Sequence, residues 1–190
     1  MNMDRSVFYV CYGSNLYFSR FKEYLDSALY RAYTPSHEDQ WEELIMAHDK
    51  PVESYRVNLE HDIYYRGNSA RWGGGIAYLD TDTRTCKKVY RAYKITGPQF
   101  ASLFSQENGY FSEDQLNWGR ILGEKETFTT AGFYDKIINL GKIDGVPALT
   151  FTSSTPKHKG ILSAPGDRYT EIINAGRQET KRLPYVDIHA

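Results

Sequence analysis

One acidic residue interrupts an apolar stripe. In TGPQFASLFSQENGY, residues 96–110, Phe100, Leu103 and Phe104 recur at helical spacing, and the next position on the same face is Glu107. The segment marks its own ends. Thr96 and Gln99 have the spacing of a capping box, Pro98 suits a first turn, and Asn108-Gly109 supplies a left-handed stop. Two behaviours are open to a carboxylate placed there. At a frayed last turn it swings out to water and is idle. Held inside, it is desolvated, its pKa rises toward neutrality, and it can take up and return a proton.

A second candidate lies in FYVCYGSNL, residues 8–16, where an apolar strand runs into Gly13, Ser14 and Asn15 and a helical pattern starts at once. Such a bend can turn successive N–H groups into one concavity, beside the unsatisfied donors of the helix start, and so hold a carboxylate or phosphate oxygen. Plain capping by Ser14 or Asn15 accounts for the same letters. The stretch is not a P-loop, and neither GxSxG nor GxGxxG occurs. A nucleophilic Ser14 needs a positioned base, and the spacing of His37, His48, His61, His158 and His189 nominates none of them.

These residues need elements to carry them. VFYVCYG reads as a strand buried on both faces, and Leu16 to about Tyr30 as a helix with Phe18, Phe21, Leu25 and Ala28 on one side. TPSHEDQWEELIMAH predicts a further helix, capped by Ser36. YRVNLEHDIYYRG alternates as a strand, and GIAYLDTDT with CKKVYRAYKI predicts a strand pair joined by a polar Thr/Asp turn. ETFTTAGFYDKIINLG, bulged or broken at Gly132, and VPALTFTS supply later strands, and APGDRYTEIINAG a short helix. The class is α+β with a mixed or largely antiparallel sheet, and no linker divides residues 1–190 into more than one domain.

Composition narrows the partners. The chain has 190 residues with 23 basic and 24 acidic ones intermixed, so it lacks the basic face that a nucleic acid demands. No stretch approaches a membrane span, no signal-type run opens the chain, and a cytoplasmic location is expected. The 16 tyrosines suit either a filled core or a pocket lined with hydroxyls. Cys11 and Cys86 lack metal-ligand spacing and read as reduced, buried thiols. Gly73-Gly74-Gly75 marks a bend or a close backbone approach. Arg66 and Arg71 beside it read as solvated, or as a grip for a second substrate carboxylate, and Lys157-His158-Lys159 reads as a surface loop.

Taken in order, Tyr12-Gly13-Ser14-Asn15-Leu16, the strand entry NSARWGGGIAYL at 68–79, Gln106-Glu107-Asn108-Gly109 and Pro165-Gly166-Asp167-Arg168-Tyr169 resemble the motifs of the gamma-glutamylcyclotransferase-like family. The likeness runs from Val7 to Pro184. Departures include Cys11 where the family often has alanine, and Gly166 where a capping serine is common, leaving Asp167 as the cap. The region from about 26 to 54 is longer than in compact members and reads as a helical insertion, a lid or a dimer surface.

The resemblance implies a small, mixed, barrel-like sheet with a few flanking helices and a cavity over the YGSN bend. It implies release of 5-oxoproline from a gamma-glutamyl amine, amide or dipeptide by attack of the substrate's own alpha-amine. Glu107 would be the general acid and base, with Tyr9, Tyr12, Gly13, Ser14, Asn15, Leu16 and Tyr169 binding substrate. Neither a metal nor an organic cofactor is called for, the partner is a small molecule, and a homodimer is compatible with the family. A non-catalytic binder or sensor of small anions on the same fold is the other reading, and an amide hydrolase in which Glu107 activates water is a third.

Overall fold

The computed structural model describes residues 6–32, 53–109 and 115–189. The helix expected over 34–48 and most of the region 26–54 lie outside the described residues. Among the described residues, six strands form one sheet in the order β2-β3-β1-β6-β5-β4. The strands are β1 (Ser6–Cys11), β2 (Ser54–Ser69), β3 (Gly74–Thr96), β4 (Glu126–Phe128), β5 (Lys136–Ile143) and β6 (Val146–Thr152). The described helices are α1 (Phe18–Ala32), α2 (Gly97–Glu107), α3 (Trp118–Gly123) and α4 (Asp167–Lys181). The sheet is mixed, because β1 runs parallel to β6 while the other pairings are antiparallel. It is also open, with β2 and β4 as its two edges, where a barrel-like closure was expected.

The near-continuous apolarity of β1 places it in the middle of the sheet, with Val7 to Cys11 all buried. Its aromatics build the core: Tyr9 stacks on Phe151 at 5.3 Å between ring centres, and Phe21 of α1 stacks on Tyr93 at 3.9 Å. α2 has the expected boundaries. The Thr96 hydroxyl accepts the Gln99 N–H at 3.2 Å, the Gln99 side chain accepts the Thr96 N–H at 2.9 Å, and Gly109 takes φ +67°.

β3 departs from the expected strand pair. It is continuous over 23 residues, and the polar Thr/Asp stretch forms an irregularity inside it. From Ile63↔Leu79 to His61↔Arg84, β2 advances two positions while β3 advances five. The Asp80 carboxylate accepts the N–H groups of Asp82 and Thr83 at 3.1 and 3.3 Å, which is local turn chemistry. β2 runs alongside without a break, so the turn is absorbed as a bulge. β4 and β5 are separated in the 129–135 region, as Gly132 suggested.

α4 starts on Gly166 without a side-chain cap, so Asp167 sits in the first turn and does not cap as expected. Glycine is required there, since a Cβ on Gly166 would come within 1.9 Å of the Trp72 carbonyl. Cys11 is buried as expected, but Cys86 is exposed. Among the described residues no helix is long and apolar enough to cross a membrane.

Candidate active site

The sheet centre and the helix ends meet at a cavity of about 440 Å³, a size suited to a small molecule. Its wall includes Tyr9, Tyr12, Gly13, Ser14 and Asn15 from the first motif, Glu107 from the second and Tyr169 from the last. Leu16 is the exception among the expected site residues. Its side chain is buried in the core, and its N–H is spent on the Gly13 carbonyl at 3.1 Å.

The bend at 13–16 is held from outside by its carbonyls. Leu16 N–H donates to Gly13 O and Tyr17 N–H to Ser14 O, both at 3.1 Å, closing a 3-10 turn over Ser14–Leu16. The Tyr93 hydroxyl donates to Asn15 O at 3.0 Å, and Nη1 of Arg91 to Leu16 O at 3.1 Å. That Arg91 nitrogen also pairs with Glu179 of α4 at 3.0 Å, and Glu179 accepts the first N–H of α1, from Phe18, at 3.0 Å. The carboxylate therefore caps α1 where no Ser or Asn does. α4 lies so close that a Cβ on Gly176 would meet the backbone of Leu16 and Tyr17 at 2.4 Å. With the carbonyls engaged, the N–H groups of Gly13 and Asn15 have no acceptor among the described residues, and both residues line the cavity.

Tyr169 is 3% exposed, and its ring packs on Trp72 with centroids 4.9 Å apart. Its hydroxyl oxygen accepts the Ala77 N–H at 3.3 Å. Burial raises its pKa, so it stays a phenol. With its oxygen taken as an acceptor, its O–H is the group left to donate into the cavity it borders. The same packing explains Gly13, where a Cβ would sit 3.0 Å from that hydroxyl. Tyr12 has its hydroxyl on the Phe151 carbonyl at 2.7 Å, so its contribution to the wall is the ring.

Glu107 does not swing away. Nδ2 of Asn15 donates to its Oε1 at 3.2 Å, and the Tyr24 hydroxyl is near enough to favour the ionised carboxylate. Burial raises its pKa, against the lowering pull of the Tyr24 hydroxyl, Arg20, the Asn15 bond and Arg71. The flanking letters place it. Nε2 of Gln106 donates to the Tyr24 carbonyl at 3.3 Å, tying α2 to α1. Oδ1 of Asn108 accepts the N–H groups of Phe133 and Tyr134 at 3.1 and 2.7 Å, which draws that loop over the cavity. The motif thus grips one wall on each side of its acid.

Several wall residues were not anticipated. Arg20 is buried and donates to the Tyr24 hydroxyl at 2.6 Å, and Tyr78 and Tyr134 complete the aromatic lining with Phe133 at the rim. The only trace of Arg20 in the sequence is its i, i+4 relation to Tyr24. Of the two arginines near the glycine run, Arg71 is exposed and Arg66 half-buried, and both line the cavity. Gly74 and Gly75 answer to close approach, each Cβ falling 2.6 Å from backbone of 163–166. His61 is held by the Asp80 carbonyl at 2.9 Å and is no base for Ser14, since it does not line the cavity.

No family model matches the sequence. Histone deacetylase 5 of Arabidopsis thaliana is 26% identical over 198 residues, covering 93% of this chain, and the chain spans 29% of the length of that protein. A solved structure described as gamma-glutamyl cyclotransferase aligns at 14% identity with a TM-score of 0.49, covering 95% of this chain and 89% of that one. A crystal structure of uncharacterized protein loc79017 from Homo sapiens aligns at 16% identity with a TM-score of 0.50, covering 98% of this chain and 93% of that one. The last likeness shows a shared fold and nothing of activity: this chain has that α+β architecture, with an open six-stranded sheet among its described residues.

Proposed function

We propose that the protein is a cyclotransferase that releases 5-oxoproline from a gamma-glutamyl amine, amide or dipeptide. The substrate's alpha-amine attacks its own gamma-carbonyl carbon. A ring C–N bond forms, the original amide C–N bond breaks, and the two protons that the alpha-ammonium sheds in becoming the ring N–H pass in turn through Glu107 to the departing nitrogen, which leaves as an ammonium. Because the reacting groups belong to one molecule, holding the chain folded back supplies much of the acceleration. The tasks left are to hold the alpha-carboxylate, polarise the carbonyl and carry a proton.

The observation that carries this reading is a carboxylate of raised pKa on the same cavity as a bend with unengaged N–H groups. An acid lifted toward neutrality can both accept and return a proton. Beside it, Oδ1 of Asn15 is buried with no donor among the described residues, and an incoming ammonium would supply one. The N–H groups of Gly13 and Asn15 suit the alpha-carboxylate, and the Tyr169 hydroxyl suits the carbonyl oxygen as charge develops on it. The order of the YGSNL, QENG and Pro-Gly-Asp-Arg-Tyr motifs adds independent support.

The test is product analysis with a panel of gamma-glutamyl amines and dipeptides. Release of 5-oxoproline with the free amine is expected. Glutamate in place of 5-oxoproline would make the protein a hydrolase, and binding without any product would make it a carrier or sensor.

A further inference from the structure

Arg66 differs from the other arginines around the cavity in what it lacks. Arg20 and Arg71 both pair with Glu23, and Arg91 behind the bend pairs with Glu179. Arg66 has no ion pair among the described residues. Its guanidinium is nonetheless fixed: Nη2 donates to the Ser153 hydroxyl at 2.6 Å and Nη1 to the Thr155 carbonyl at 3.3 Å. The cation lies 4.8 Å from the ring centre of Tyr78 and 5.9 Å from that of Tyr64. Gly160 leaves room for its stem, since a Cβ there would come within 2.5 Å of Cδ. Asp135 also acts on Tyr78, but its carboxylate is engaged by the N–H and hydroxyl of Ser154.

Neutral acceptors thus orient this half-buried cation without neutralising it, and its five donors are not exhausted by them. Its place along the cavity is equally defined. Tyr134, which feels the charge of Glu107, packs on Tyr78 with ring centroids 5.2 Å apart, and Arg66 lies over the face of Tyr78 at 4.8 Å. A substrate with its reacting end at Glu107 and Asn15 would extend past Tyr134 and Tyr78 toward the guanidinium.

We infer that Arg66 is a second anion-binding subsite, which selects conjugates whose departing amine carries a carboxylate or another anionic group over those with a neutral or cationic amine. The inference rests on the cyclotransferase reading for the placement of the reacting end. A planar guanidinium held by side contacts loses little freedom on binding a carboxylate with two parallel bonds. Charge-assisted bonds of this kind correspond to a preference on the order of 10- to 100-fold.

A matched pair reads this directly: gamma-glutamyl-alanine and gamma-glutamyl-alaninamide differ only in carboxylate against carboxamide. Their Kd values are measured calorimetrically on Glu107→Gln, and 5-oxoproline release is followed on the unaltered protein. The expected result is a carboxylate preference of at least about 10-fold that shrinks with added salt. The double variant Glu107→Gln/Arg66→Gln brings the ratio near one, while Arg66→Lys retains part of it. Equal Kd values for the pair, or a preference that survives Arg66→Gln, overturn the subsite. A preference that depends on Arg66 without any 5-oxoproline keeps the subsite and removes the cyclotransferase reading, and failure to bind either compound removes both. Equal Kd values with Arg66 intact overturn the subsite even where Arg66→Gln folds poorly, and Arg66→Lys then carries the assignment to this residue.

Discussion

One amide nitrogen, Nδ2 of Asn15, donates to Oε1 of Glu107 and to the hydroxyl of Tyr9, at 3.2 Å in each case. The residue that ends the first strand's bend therefore holds the acid that ends α2, 92 positions away in the chain. This bond is one of the influences that keep the Glu107 pKa from rising further. Asn15→Leu removes it, so the pKa of Glu107 rises. The acidic limb of the kcat/KM profile, where Glu107 must be ionised to take a proton, is expected to move to higher pH. Turnover at neutral pH should fall about 10-fold or more. An unmoved limb would separate Asn15 from the acid's titration.

Glu107→Gln keeps the shape and removes the proton carrier. Turnover is expected to vanish while substrate Kd stays within a few-fold, and surviving turnover would remove Glu107 from the mechanism. The same substitution has a signed effect on stability. Folding raises the pKa of Glu107, so the folded state binds more protons than the unfolded one between the ordinary glutamate value and the elevated one. Stability tied to this group is present below that window and is lost as pH rises through it. Glu107→Gln should therefore raise Tm at neutral pH, and the gain should disappear at pH values below the ordinary glutamate pKa. Thermal melts of both proteins across pH check the sign.

Tyr169→Phe deletes a hydroxyl that accepts the Ala77 N–H at 3.3 Å. Two effects are expected. A stability loss of about 1–3 kcal/mol follows from a buried donor left unpaired. A fall in kcat on the order of 100-fold, larger than the change in KM, follows if the hydroxyl meets charge that develops during ring closure. A change confined to KM would restrict Tyr169 to ground-state binding.

Gly176→Ala improves helix propensity by about 1 kcal/mol, yet it should destabilise. The new methyl group meets the Leu16 and Tyr17 backbone at 2.4 Å, and backbone cannot step aside as a long side chain can. A net cost of about 1–3 kcal/mol with a loss of substrate affinity is expected from denaturant titration and calorimetry. Gly123→Ala at the end of α3, where nothing lies within 4 Å of the new atom, is the matched control and should be neutral or stabilising.

Local signals were legible in the sequence, and assembled ones were not. α2 could be drawn from its letters because the capping box, Pro98 and Asn108-Gly109 act within a few residues of one another. The Asp80 turn was legible too, but whether it reverses the chain or bulges a strand is decided by β2, which lies elsewhere in the sequence. Glu107 stood out because it breaks an apolar stripe. Arg20 sits among charged and aromatic neighbours whose pattern suits a solvated helix face, so its burial depends on packing that no short window contains. Tyr134 and Phe133 reach the cavity only because Asn108 holds their backbone. Cys86 shows the limit from the other side, since a small sulfur residue between two strand-like runs carries no mark of which face it takes.

The pairing of β1 with β6 has a consequence for how the molecule is made. Tyr12 bonds to Phe151 across 139 positions, and Phe18 to Glu179 across 161. A ribosome must release the α4 segment before the bend at 13–16 can be clamped, so a nascent chain carries an unfinished pocket until then. Contacts this distant in sequence close slowly. Pulse-labelled refolding should accordingly show the amides of Leu16 and Tyr17 gaining protection in the last phase, after the β2-β3 hairpin has formed.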